Sequence, residues 1–243
     1  MKIGLITYNV LFDKASLSLD SSLSPYRPDI LCLQEVETKE QSLNRITNQR
    51  YRLANFSNSF IKFGKVYGLA TYYNQEILTF VSSETFDLPR SVIEGLLVIL
   101  RGGNNPRSVL KTDFKVKDTT QKLTVYNIHL SPWGSNGVRI KQLTETLDSL
   151  DLTKYNDTAI IVTGDFNFSY RRRKLEEIIH RYELKEATAN IFYTFESTFL
   201  RFIPLRWKLD YILYKNITWL TTKALPIHFS DHYPIFAEFQ LTI

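Results

Sequence analysis

The sequence predicts an α+β fold in which sheet packs on sheet with helices on the outside, and three observations carry that expectation. Short apolar or alternating segments of strand type recur along the whole chain. Only a few segments carry a helical spacing of apolar residues. No linker, repeat or low-complexity tract interrupts them, so residues 1–243 are expected to form one domain. A chain of 243 residues that is 44% hydrophobic is long enough to bury such a core.

In chain order, strands are expected over 2–9, 29–34, 51–56, 66–73, 77–86 and 95–101. Residues 107–130 read as a hairpin: Leu110, Thr112, Phe114 and Val116 alternate with Lys111, Asp113 and Lys115, and a polar turn over 117–121 leads into Lys122–Leu130. Further strands are expected over 158–164, 209–214, 216–221 and 234–242. Thr38-Lys39-Glu40-Gln41 has the form of a capping box ahead of Leu43 and Ile46. Val138, Leu143, Leu147 and Leu150 fit a second helix, and Leu175, Ile178, Ile179 and Tyr182 a third.

Lys plus Arg is 30 against 25 for Asp plus Glu, a formal charge of +5, and the pI is near 9.1. That mild excess favours a polyanionic partner, nucleic acid or an acidic membrane surface. The one cysteine, Cys32, lies in the apolar run Ile30–Leu33, as a buried structural thiol would, and it excludes a disulfide framework and a Cys-based zinc site. The start of the chain is too short and too β-like for a secretory leader, and the run Leu96–Leu100 is far below a membrane span. A cytoplasmic, monomeric protein is expected.

The chemistry gathers where buried strands end. Ile160-Ile161-Val162-Thr163-Gly164 runs into Asp165-Phe166-Asn167. Strands of the same kind run into Asn9, into Gln34-Glu35, and through Asn127-Ile128 into His129, while Ser230-Asp231-His232 precedes one and Asp210 lies inside another. Each has an ordinary use on its own: a turn for Asn9, a helix cap for Glu35, a hydrogen-bonded core position for His129, an arginine partner such as Arg206 for Asp210. All of these together is a different matter, because a sheet interior rarely accepts so many polar strand ends by accident.

The ordered set Asn9, Gln34-Glu35, Asn127-Ile128-His129-Leu130, Gly164-Asp165-Phe166-Asn167, Leu209-Asp210-Tyr211-Ile212 and Ser230-Asp231-His232 resembles the endonuclease/exonuclease/phosphatase superfamily. Its branches include deoxyribonuclease-I-like nucleases, abasic-site endonucleases, neutral sphingomyelinases, inositol polyphosphate 5-phosphatases and tyrosyl-DNA phosphodiesterases. The resemblance implies a four-layer αββα sandwich with its active site at one rim of the two sheets. It implies that Glu35 is the main Mg²⁺ or Mn²⁺ ligand, helped by Asn9 and Asp231, an oxygen set suited to a hard cation. Asp165 would orient or deprotonate the attacking water, Asn167 would donate to a phosphoryl oxygen, and His129 and His232 would stabilise phosphate charge, with Asp210 fixing the tautomer of His232.

Leu11 stands where abasic-site endonucleases carry an acid, and His129 looks closer to the nuclease, sphingomyelinase and tyrosyl-phosphodiesterase branches. Pro204-Leu205-Arg206-Trp207-Lys208 echoes the 5-phosphatase motif only loosely. Arg171, Arg172 and Arg173 follow the Gly-Asp-Phe-Asn turn and are candidates for phosphate-backbone contact. Trp207, with Phe195, Phe199, Phe202, Arg201 and Arg206, falls on an expected loop before Asp210 that can stack bases, enter lipid or belong to the core. The leading expectation is a Mg²⁺-dependent phosphodiesterase acting on nucleic acid. The alternatives are a phospholipid or small-phosphoester hydrolase that contacts membrane lipid, and a silent nucleic-acid-binding protein. No protein partner is implied.

Overall fold

A computed structural model of the chain describes residues 1–48, 50–62, 64–89, 107–132, 135–149, 158–170, 172–199 and 203–241. Two six-stranded sheets pack face to face. The first has the order β13-β14-β1-β2-β4-β3, built from Thr218–Ala224, Ile235–Gln240, Lys2–Asn9, Ile30–Glu37, Lys65–Asn74 and Tyr51–Lys62. The second has the order β5-β6-β7-β8-β12-β9, built from Leu78–Asp87, Ser108–Val116, Lys122–His129, Ala159–Asp165, Asp210–Lys215 and Lys185–Glu186. Each is mixed: β1 and β2 run parallel in one, β7 and β8 in the other, and every other pair is antiparallel.

Three apolar layers hold the sandwich. Ile3, Leu5, Ile30, Cys32, Val125, Ile161, Ile212 and Phe239 fill the space between the sheets. Ile6, Tyr8, Leu31 and Leu33 face outward from the first sheet onto Leu19 and Leu23 of α1 (Leu19–Leu23), Leu43 of α2 (Glu40–Leu43) and Ile46. Tyr126, Ile128, Ile160 and Val162 face outward from the second sheet onto Leu143 and Leu147 of α3 (Asn136–Ser149) and Leu175 and Ile178 of α4 (Arg172–Arg181). The expected αββα layering is the one observed.

Strand side chains alternate between faces, so these layers fix the direction of the polar strand ends. On β1, Ile3 and Leu5 face inward, which puts Thr7 and Asn9 on the same inner face. The same parity carries Leu123 and Val125 to Asn127 and His129 on β7, Ala159 and Ile161 to Thr163 and Asp165 on β8, and Ile212 back to Asp210 on β12. His129, Asp165 and Asp210 are also in lateral register on three neighbouring strands.

Beneath these residues a buried polar bridge ties the sheets together. Gln34 Nε2 donates to Thr7 Oγ1 (3.1 Å) and Asn127 Oδ1 (2.8 Å), and Asn127 Nδ2 donates to the carbonyls of Leu33 and Ala70 (3.1 Å each).

Two expectations are corrected. The capping box does not form: Thr38 Oγ1 donates to the Val66 carbonyl, and the one-turn α2 starts at Glu40 behind an extended Lys39 with no side-chain cap. The aromatic stretch before Asp210 is no loop but a separate hairpin, β10 (Phe195–Phe199) with β11 (Ile203–Trp207). Phe195 pairs with Trp207 across it, a cross-strand pairing of side chains far apart in sequence that local reading did not supply. Expected strand 95–101 and Leu150, Arg201 and Phe202 lie outside the described residues. Among the described residues no helix is long and apolar enough to cross a membrane.

Candidate active site

The C-terminal ends of the two parallel pairs meet at one rim, and Asp165 stands at the centre of what they assemble. It is 1% exposed. Its Oδ2 accepts from Asn9 Nδ2 at 3.0 Å, and its Oδ1 accepts from the Asn167 backbone N–H at 2.9 Å. The same Oδ2 lies 3.6 Å from Nε2 of both His129 and His232. Gly164 makes this possible: its φ is +137°, and a Cβ there would sit 1.9 Å from the Ile128 carbonyl oxygen, so no side chain fits between β7 and β8 at this point.

Glu35 arrives by a different route. Parity alone would turn it onto the outer face beside Leu31 and Leu33. A bulge between Gln34 and Val36, with Glu35 at φ +59°, lifts it out of the alternation. Three successive residues at positive φ, Leu11, Phe12 and Asp13, fold the chain after β1 over it. The Phe12 N–H donates to Glu35 Oε2 at 3.2 Å, and the Leu11 N–H donates to Asn9 Oδ1 at 3.1 Å. Glu35 Oε1 faces His129 Nε2 at 3.8 Å.

His232 and Asp210 form a buried pair, Nδ1 to Oδ2 at 2.7 Å. Thr194 Oγ1 donates to the same Asp210 oxygen at 2.7 Å and accepts the N–H groups of Leu209 and Asp210 at 3.0 Å. The loop carrying His232 is fastened to the end of β1, because Ser230 Oγ donates to the Asn9 carbonyl at 2.7 Å. Ser230 Oγ also lies 3.2 Å from Asp231 Oδ1, and Asp231 is half-buried at the rim.

Burial and charge set the protonation of these groups. Desolvation raises the Glu35 carboxyl above the usual range, with Arg107 and His232 pulling the other way. Desolvation likewise raises Asp165, aided by Asp210 and opposed by His232 and by its two hydrogen bonds. His129 is held well below an ordinary imidazole by burial first and then by Arg107 and His232. Burial also pulls His232 down, but Asp210, Asp165 and Asp231 together outweigh it and raise that imidazole to about 10.

These donors suit a hard divalent cation. Glu35 and Asp165 are buried carboxylates that lack a cationic side chain in hydrogen-bond contact among the described residues, and Asp210 Oδ1 is buried with no hydrogen-bond partner among them. Asp165, Asp210 and His232 offer ligand atoms within 4.8 Å of one another. The hydrogen bond from His232 to Asp210 and the 3.6 Å approach of His232 to Asp165 already account for its closeness. Glu35, with 12% of its side chain accessible, is the carboxylate left facing the cleft.

The predicted substrate contacts divide. Arg172 pairs with Glu176 and Glu186, and Arg173 with Glu177, so both guanidinium groups have partners on α4 and β9 and none in the rim cluster. Arg171 lies outside the described residues. Trp207 is 44% exposed and stacks on Phe195 with centroids 5.7 Å apart and planes 11° apart, and Phe195 meets the His232 ring edge-on at 5.1 Å. Asn167 donates one side-chain N–H to the Leu130 carbonyl at 3.1 Å. Sequence reading missed Arg107, whose Nη1 lies 3.3 Å from His129 Nδ1, and it missed Thr194. Neither stands in a strand-end motif that marks it.

The sequence model of the Endonuclease/Exonuclease/phosphatase family matches residues 6–232. The chain belongs to that family. It is therefore a hydrolase acting on phosphate ester bonds, in a family that is generally metal-dependent. No curated protein matches it in sequence. Among solved structures it is similar to the human nocturnin catalytic domain with bound sulfate, at 20% identity and TM-score 0.74 over 99% of this chain and 95% of that one. It is similar to ANGEL2, a 2′,3′-cyclic phosphatase, at 15% identity and TM-score 0.73 over 98% and 95% of the two chains. Similarity to TDP2 from Caenorhabditis elegans is 15% identity and TM-score 0.74, over 99% of this chain and 74% of that one. At these identities the likenesses concern the shared fold of the Endonuclease/Exonuclease/phosphatase family.

Proposed function

We propose that this member of the family is a Mg²⁺-dependent phosphodiesterase that hydrolyses nucleic acid. The observation that carries the reading is the single oxygen Asp165 Oδ2, set 3.6 Å from two imidazole nitrogens and anchored by Asn9. A buried carboxylate with a raised pKa is suited to take the proton of an attacking water. His232, kept protonated by Asp210, offers positive charge to the phosphate, and His129 and Asn167 supply further donors. Glu35, Asn9 and Asp231 would hold the cation, which when bound neutralises non-bridging oxygens and lowers the pKa of water.

Nucleic acid is favoured by the ladder Trp207–Phe195–His232, which puts an exposed indole face one ring away from the proposed chemistry, where a base can stack. The net charge of +5 points the same way. One buried thiol suits a reducing compartment such as the cytoplasm. The test is a panel of single- and double-stranded DNA, RNA, sphingomyelin, inositol phosphates and bis-p-nitrophenyl phosphate, each with Mg²⁺ and with EDTA. Cleavage of a nucleic acid that stops with EDTA is expected. Turnover of sphingomyelin or inositol phosphates alone would replace the substrate assignment, and no turnover by folded protein would overturn the reading.

A further inference from the structure

We propose that Arg107 is a positioning residue that fixes His129 as the neutral tautomer with its proton on Nε2, so that His129 presents a hydrogen-bond donor to the reacting phosphate. The inference rests on the phosphodiesterase reading for its use, though not for its geometry. A guanidinium has five donors, no acceptor and a permanent charge. With Arg107 Nη1 at 3.3 Å from His129 Nδ1, that ring nitrogen must offer its lone pair. The proton of a neutral ring then sits on Nε2.

Nε2 faces the two carboxylates of the rim. Its nearest carboxylate oxygens are Asp165 Oδ2 at 3.6 Å and Glu35 Oε1 at 3.8 Å, both beyond hydrogen-bond length. The N–H is thus directed between two acceptors without being consumed by either, and a phosphoryl oxygen entering there can receive it.

Arg107 is itself held in place. Its guanidinium lies over the Phe60 ring at 4.7 Å, and Phe60 meets His129 edge-on at 6.2 Å. Phe12 and Tyr67 pack around Phe60 at 6.1 and 5.6 Å. The Arg107 carbonyl accepts the Leu88 N–H at 2.6 Å, which fixes the backbone where the residue enters β6. An aromatic wall on the Glu35 side of the rim therefore backs the Arg107 headgroup, and the headgroup sets the ring.

The test reads the tautomer directly. The ¹⁵N-labelled, metal-free chain has four histidines, and two-bond ¹⁵N–¹H correlation assigned with His129→Gln identifies the ring in question. The expected spectrum has a protonated Nε2 and an unprotonated Nδ1. Arg107→Met should move these signals toward a mixture of tautomers, and Arg107→Lys, which still donates, should restore them. At saturating Mg²⁺, Arg107→Met should lower kcat about 10-fold, with Arg107→Lys in between. A wild-type His129 protonated on Nδ1, or a tautomer unchanged in Arg107→Met, overturns the proposal. If Arg107→Met does not fold, the wild-type spectrum alone decides. The spectrum needs neither metal nor substrate, so a protein inactive on every phosphoester would sink the functional reading while leaving this result intact.

Discussion

His129 and His232 both approach one carboxylate and put the same nitrogen at the same 3.6 Å from Asp165 Oδ2. Both rings are buried. What lies behind them is opposite in sign: a guanidinium at 3.3 Å from Nδ1 of His129, a carboxylate at 2.7 Å from Nδ1 of His232. One imidazole is kept neutral by burial first and the guanidinium second, and the other is kept protonated against burial by its carboxylate neighbours. The partner on the remote nitrogen decides the chemistry of the near one. A site that must both neutralise and orient a phosphate gains from having one histidine of each kind.

The largest effect should come from removing what the two rings share. Asp165→Asn keeps the shape and deletes the proton acceptor, so turnover should fall about 1,000-fold or more while thermal melting still reports a folded protein. Near-normal turnover would remove Asp165 from the chemistry. Next comes the charged side of the pair. His232 is raised from about 6.5 to about 10, so its charge stabilises the fold fully below the lower value and that contribution fades as pH rises toward the upper one. In EDTA the wild-type melting temperature should decline across this window, and Asp210→Asn should flatten the decline. An equal slope in both proteins would break the contrast with His129.

Smaller effects belong to the flanks. Glu35→Gln should lower activity about 10-fold at limiting Mg²⁺ and recover with added Mg²⁺; an unchanged metal titration would take Glu35 out of the cation site. Trp207→Ala should weaken transition-state binding of nucleic acid by about 1–3 kcal/mol, read from kcat/KM, and leave bis-p-nitrophenyl phosphate unaffected. Equal losses on both substrates would make the indole a structural support of His232 and no stacking platform.

Much of this was legible because strand alternation is a local rule. Asn9, His129, Asp165 and Asp210 share the parity of the inward apolar residues on their own strands, so their convergence is written in the spacing. The chain order of the motifs was enough to suggest the fold. The arginines after Asn167 were visible through proximity in sequence alone. Glu176, Glu177 and Glu186 engage Arg172 and Arg173, and only helix periodicity and the β9 pairing bring those acids within reach.

The sequence by itself determined the strand faces, the apolar layers and the identity of most polar groups at the rim, because these depend on residue type and a period of two. Tertiary structure alone decided three things. The bulge lifted Glu35 off the outer face and into the cleft. The β10–β11 hairpin placed Phe195 against His232 and stacked Trp207 on Phe195. Packing of Phe60 set Arg107 behind His129. Each depends on contacts between segments distant in the chain, and charge state, unlike strand parity, is a property of such neighbours.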